Sequence, residues 1–365
     1  MVVRHVRPVS PQRARGLVAE VYRQVEADFS SIGPAVTMAS PAPEILASGW
    51  ALARESQLAG QAPTLHKSLV ALGVSQVNRC GYDSAAWLAV LRLTGSAHLA
   101  AAAEDGGLPA DPELAAVLAW ARATGAGRLQ PAAFAAATAP EFLGTALFTH
   151  FTNRLVAAML PAGLRPGSMD PGDEPPFDGA PVLRGLKGGF EPGATASLLE
   201  RCPTGPAPAW AGRTAIGPAY AALEATAAQG AGLLTEAAQA VVRQVIGAHR
   251  GRIQPHGAGL FDGGGLTDDE RLGAKVAIMA GLAPSDLTDE DVAAWKATNA
   301  HHSDHCAVML LSYGSMTAVS HIASDLADQG SEEASPRRKD AATGAATLPP
   351  PPPPSTTTAK ATSPL

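Results

Sequence analysis

Two stretches of this chain, from about Pro11 to Leu160 and from Trp210 to about Asp328, are dense in alanine and leucine at helical spacing. Apolar residues recurring at i, i+3 and i+4 line one face of a helix, whereas a half-buried strand alternates strictly. In 43–53, Ile45, Leu46, Trp50 and Ala53 share a face, and in 66–77 Leu69, Val70, Gly73, Val74 and Val77 make one stripe. Neither zone holds a convincing run of alternating β-branched residues with hairpin turns. Aromatic residues are only 5% of the 365, so the core must be built mainly from Ala, Leu and Val, which favours closely packed helices over sheets. Helix starts are written into the same zones. Asp111-Pro-Glu supplies an N-cap, a proline at the first helical position and an early acid. Thr288-Asp-Glu-Asp puts Asp291 where a capping box needs its acid. The expected fold class is all-α.

Between the zones, Pro161–Ala209 fills with Pro, Gly and Asp and reads as a long connecting segment. Beyond Gln329 come Ser, Glu, Thr and Ala and then the consecutive prolines Pro349–Pro354, a composition expected to be disordered or polyproline II. The expected organisation is a first helical domain over 1–160, a linker over 161–209, a second helical domain over 210–328 and a disordered tail over 329–365. The zones also resemble each other. The helix around Trp50 followed by 68–72 has a counterpart in the helix around Tyr220 followed by 241–246. Residues 111–119 match 269–277 without gaps, a frame that pairs Leu129 with Leu287 and Phe134 with Val292. Two matches in the same order point to tandem repeats, expected as two bundles about an approximate two-fold.

Hydrophobic residues make up 46% and charged residues 16%, ample for a core and incompatible with a wholly disordered chain. Lys plus Arg is 27 against 33 for Asp plus Glu, a formal net charge of −6, which gives no electrostatic footprint for nucleic acid or an anionic membrane. Cys80, Cys202 and Cys306 are too sparse for a disulfide framework or paired zinc knuckles. The N-terminal residues lack the apolar run of a signal peptide. Stretches such as 85–91 and 155–160 fall well short of the roughly 20 residues that span a bilayer. The expected location is the cytoplasm.

The most informative stretch is Ser68-Leu-Val-Ala-Leu-Gly-Val-Ser-Gln-Val-Asn-Arg-Cys-Gly-Tyr-Asp-Ser-Ala-Ala-Trp87. With an apolar helix leading into Cys80, and with Ser75, Asn78 and Tyr82 around it, this stretch resembles the core motif of the alkyl hydroperoxidase D-like, or carboxymuconolactone decarboxylase-like, superfamily. The element at 287–295 also looks like this family and extends the resemblance over both zones. The resemblance implies an all-helical and usually homo-oligomeric fold and, in the redox branch, thiol-based reduction of hydroperoxides. No cofactor is expected.

The departures from that motif matter more than the match. The redox branch uses a CxxC pair with a glutamate on the preceding helix and a histidine after the second cysteine. Here Cys80 stands at the first cysteine position, Asp83 at the second, Trp87 at the histidine position and Ser68 at the glutamate position. A thiolate that attacks a peroxide becomes a sulfenic acid, which a neighbouring thiol resolves as a disulfide. The glutamate and histidine move protons and lower the thiol pKa. Asp83 does neither job well, and its charge one turn from Cys80 disfavours a thiolate. The second zone has Arg250 and Ile253 near the corresponding places, with no cysteine.

Cys80 therefore has two readings, a single-cysteine redox site recycled by an external thiol, or a buried small hydrophobe kept in an inherited helix. Ser68, Tyr82, Asp83 and Trp87 are candidate pocket-lining residues for a small-molecule ligand; for the last three the ordinary roles are a backbone partner, an exposed charge and a core aromatic. In Asn299-Ala-His-His-Ser-Asp-His-Cys306, His301 and His305 stand at i, i+4 and are weak metal candidates, because solvated or capping histidines are the commoner case and no third ligand is evident nearby. The Gly257–Gly265 segment lacks the spacing of a nucleotide-binding turn and reads as a loop. Two function classes follow: a divergent thiol oxidoreductase whose motif is largely lost, and a non-catalytic helical binding or assembly protein on the same scaffold.

Overall fold

The computed structural model describes residues 3–29, 32–127, 130–168 and 189–334, with side chains described as far as Ala327. The described residues form helices and connecting turns, with no strand beyond one isolated bridge between Ala59 and Phe190. The first zone carries α1 (Gly16–Phe29), α2 (Pro34–Thr37), α3 (Pro43–Ala53), α4 (Thr64–Val77), α5 (Gly81–Leu93), α6 (Ala97–Glu104), α7 (Pro112–Ala126) and α8 (Ala139–Met159). A π-helical turn, Arg54–Leu58, prolongs α3. After a short α9 (Ala196–Leu199), the second zone carries α10 (Ile216–Ala228), α11 (Glu236–Ala248), α12 (Asp268–Leu282), α13 (Asp289–Ala297) and α14 (Asp304–Ala334).

Local chemistry sets the starts of α7 and α13. The Asp111 carboxylate accepts from the amides of Glu113 and Leu114 ahead of Pro112, and Thr288 with Asp291 closes a full capping box on α13. The apolar stripes then pack: Ile45, Leu46, Trp50, Leu69, Val70 and Val74 are all buried. α4 lies on α7 so closely that a Cβ on Gly73 would sit 2.7 Å from the Ala121 Cβ.

Across the zones, α3 packs on α10 and α8 on α14, and one apolar cluster runs from Val3 to Leu326. The N-terminal residues belong to this seam. Arg4 donates its amide to Met159 O at 2.7 Å and its guanidinium to Leu287 O at 2.9 Å. Lys296 Nζ donates to His5 O at 2.6 Å, and the Arg7 amide to Asp304 Oδ2 at 2.8 Å. The beginning of the expected first domain is thus tied to α13 and α14. The connecting segment is docked as well, since Glu55 accepts from the Gly193 and Thr195 amides and from the Thr195 hydroxyl.

Two expectations shift. α14 continues to Ala334, past the expected boundary at 328; the rest of the tail, 335–365 with its prolines, and residues 169–188 of the linker lie outside the described residues. The sequence reading also passed over Asp304–Ala327, which is long and apolar enough to span a bilayer. In the fold that apolar surface faces the core, with 78% of its most apolar window buried.

Candidate functional site

The site grows from the turn between α4 and α5. α4 ends at Asn78, and Arg79 takes a left-handed φ of 56°, an uncommon conformation for a residue with a Cβ. The Cys80 amide donates back to Ser75 O at 2.9 Å. This reversal makes Cys80 the N-cap of α5 and places Asp83 one turn further on. The Cys80 thiol donates to Asp83 Oδ2 at 3.6 Å.

From Asp83 a hydrogen-bonded chain runs through the interior. Asn153 Nδ2 donates to Asp83 Oδ2 at 2.6 Å and to Ser75 Oγ at 3.3 Å. Asn78 Nδ2 donates to Asn153 Oδ1 at 3.0 Å and faces His150 Nδ1 at 3.0 Å. The His150 Nε2 lies 2.9 Å from Thr124 Oγ1, whose own proton goes to Ala121 O at 2.7 Å. Thr124 therefore accepts, and His150 is the neutral tautomer with the proton on Nε2. Burial first, and then the charge of Arg154, hold the His150 pKa well below its ordinary value.

A helix N-terminus ordinarily favours a thiolate. Here burial of Cys80 and then the Asp83 carboxylate push the thiol well above its ordinary range, and the Asp83 and Tyr82 amides do not offset them. Asp83 itself is pushed up to about 6 by burial, against the hydrogen bonds from Asn153 and Cys80. Among the described residues no Lys or Arg pairs with it.

Two cavities meet this pair from different sides. One, of about 410 Å³, is lined by Cys80, Tyr82, Arg4, Arg79 and Leu160 among others. The other, of about 220 Å³, is mostly apolar and has Asp83 and Trp87 in its wall. The expected pocket-lining residues thus divide between two spaces. Ser68 lines neither: its hydroxyl donates to Thr64 O within α4. Cys202 lies against Glu44 O and Leu198 O, and Cys306 against Ser303 and His301 O, so each sits in surroundings of its own. His301 precedes the start of α14, so the helical i, i+4 face expected for it and His305 does not form. Among the described residues no group of three potential metal ligands comes together.

Sequence reading missed His150, Asn153 and Thr124. The signal was there in α8, a 21-residue helix in which His150, Asn153 and Arg154 stand at i, i+3 and i+4 and are all fully or nearly fully buried. Polar groups on one interior face must be satisfied by something.

The end of α11 repeats two hydrogen bonds of the end of α4. Arg250 takes φ 49°, its amide bonds to Gly247 O at 2.9 Å and the Gly251 amide to Ile246 O at 3.0 Å; at α4 the Arg79 amide bonds to Gln76 O at 3.0 Å. Gly251 thus follows its left-handed arginine as Cys80 follows Arg79, one residue on from the Arg250 position read from sequence. Arg154, on α8, donates to Gly251 O and to Gly281 O, the latter at 2.9 Å, and so crosses from the first zone to the second corner.

No family model matches the chain and no solved structure matches it. A Mycobacterium tuberculosis protein named alkyl hydroperoxide reductase Rv2159c is 34% identical to it over 330 residues, 88% of this chain and 94% of that protein.

Proposed function

The chain belongs to the alkyl hydroperoxidase D-like family, and from that membership we propose that it is a divergent relative of the family's thiol oxidoreductases whose catalytic motif is largely lost, with Cys80 resting as a protonated thiol outside the two-cysteine peroxide cycle. The observation that carries this reading is the Cys80–Asp83 hydrogen bond inside the fold, with a carboxylate where the resolving thiol would stand. In peroxide reduction the thiolate sulfur takes the terminal peroxide oxygen, the O–O bond breaks, the alkoxide leaves as the alcohol with the proton that the thiol gave up, and cysteine becomes a sulfenic acid. A carboxylate beside the sulfur opposes the first step and has no thiol with which to complete the next.

The same reading takes the two zones as tandem repeats, α3, α4, α7 and α8 corresponding to α10, α11, α12 and α14. The support is the cross-zone pairing of α3 with α10 and α8 with α14, together with the repeated left-handed arginine turn. A second reading, a non-catalytic binding protein on this scaffold, draws support from the apolar cavity beyond Asp83.

Hydroperoxide consumption with a dithiol donor tests the first reading. Wild type and Cys80→Ser are expected to differ little, while Asp83→Cys, which restores a second thiol one turn on, gains an intramolecular disulfide after mild peroxide and at least roughly tenfold in rate. Rapid turnover by wild type that Cys80→Ser abolishes would sink the proposal and mark Cys80 as a working single-cysteine site.

A further inference from the structure

The polar groups with spare capacity in the 220 Å³ cavity include two acceptors, beside the indole N–H of Trp87 and the hydroxyl of Thr152. Asp83 lines it, with Oδ2 occupied by Asn153 and Cys80 and with no hydrogen bond to Oδ1 among the described residues. Gln57 lines it too; its amide nitrogen is engaged by Thr149 Oγ1 at 3.2 Å, and its oxygen takes no hydrogen bond among the described residues. Thr149 gives its own proton to Thr145 O at 2.7 Å. The rest of the wall is aromatic and aliphatic, including Trp50, Trp87, Phe148 and Phe151, and none of its residues is cationic. A half-buried carboxylate with no cation beside it and aromatic faces around it lacks a counter-charge.

Gly49 is the second observation. It lies in the middle of α3, buried, where glycine costs about 1 kcal/mol relative to alanine. Gly73 and Gly144, also inside helices, are required by close neighbours, the Ala121 Cβ at 2.7 Å and the Ile216 Cγ2 at 2.8 Å from where a Cβ would be. A Cβ on Gly49 would meet nothing within 4 Å. Its missing methyl leaves the space beside Ile45, Leu46 and Trp50, residues of the same cavity wall, unfilled.

We propose that this cavity binds a compact apolar amine, its hydrocarbon body between the Trp50, Trp87, Phe148 and Phe151 side chains and its ammonium group on Asp83 Oδ1 and Gln57 Oε1. The ammonium donates only, which fits the two open acceptors Asp83 Oδ1 and Gln57 Oε1, and it brings the charge that Asp83 lacks. An apolar cavity of about 150 Å³ takes benzene, so this one takes a ring with a short chain, about nine or ten non-hydrogen atoms. The proposal does not depend on whether Cys80 reacts with peroxide.

The test uses 2-phenylethylamine and its neutral isostere 2-phenylethanol, titrated by calorimetry and by fluorescence of Trp50 and Trp87. Wild type is expected to bind the amine at least roughly tenfold more tightly than the alcohol. Asp83→Asn is expected to erase that preference, and Gly49→Leu to weaken both compounds by filling the cavity. Equal affinity for the two compounds in wild type, an amine preference that survives Asp83→Asn, undiminished binding by Gly49→Leu, or no binding of either compound would each overturn the proposal.

Discussion

Asp83 is held where a carboxylate is least at ease, inside the fold and without a cation, and this has a measurable signature. Its folded pKa of about 6 lies above its unfolded value of 3.8, so the folded state prefers the protonated form. Stability linked to this group is fully present below the unfolded pKa and is lost as pH rises through about 6. Asp83→Asn removes that titration while keeping an acceptor for Asn153 and Cys80. It is expected to stabilise the protein by about 1–3 kcal/mol at pH 7.5 and by little at pH 4, as read by denaturant unfolding at the two pH values. His150 has the opposite sign: its folded pKa is depressed, so its contribution is present above the unfolded value of 6.5 and is lost as pH falls below it. Nitrogen NMR of the ring is expected to show the neutral form, protonated at Nε2, at pH 5.5, where an exposed histidine is mostly charged. For Cys80, slow iodoacetamide labelling at pH 7 is expected in wild type and faster labelling in Asp83→Asn, because burial remains but the neighbouring charge is gone. These residues also mark what sequence could give. Cys80, Tyr82, Asp83 and Trp87 sit in one contiguous motif and were visible together. His150 and Asn153 join them only because α8 folds back onto α4, bringing Asn78 to partners 72 and 75 residues away.

At the scale of the element, two glycines in adjacent buried helices have opposite meanings. Gly73→Ala drives a methyl into the α4–α7 contact, 2.7 Å from Ala121 Cβ and 3.1 Å from Leu118 O, and is expected to destabilise by about 1–3 kcal/mol. Gly49→Ala meets no neighbour and is expected to stabilise by up to about 1 kcal/mol through helix propensity. Paired thermal melts of the two variants check both signs. Sequence periodicity placed both residues on helices and could not tell them apart, since the difference lies in what packs opposite. Helix starts were more legible, because the caps at Asp111 and Thr288 act within four residues. The docking of Arg4, His5 and Arg7 was not, because partners remote in sequence set it.

At the scale of the whole molecule, Arg154 joins what composition had divided. It is buried, its pKa is pulled down to about 9 by desolvation, and its hydrogen bonds go to the carbonyls of His150, Gly251 and Gly281. Arg154→Met fills the volume but leaves the Gly251 and Gly281 carbonyls without this donor, and is expected to cost about 2–5 kcal/mol in equilibrium unfolding.

The corner that Arg154 closes has a further consequence. A Cβ on Gly251 would run into the Ala318 carbonyl, and its φ is +68°, so the residue after the left-handed Arg250 has no room for a side chain. The two turns share a backbone, yet only the one at Cys80 can carry a reactive group. Whatever reagent or metabolite engages that group will titrate to one equivalent per polypeptide.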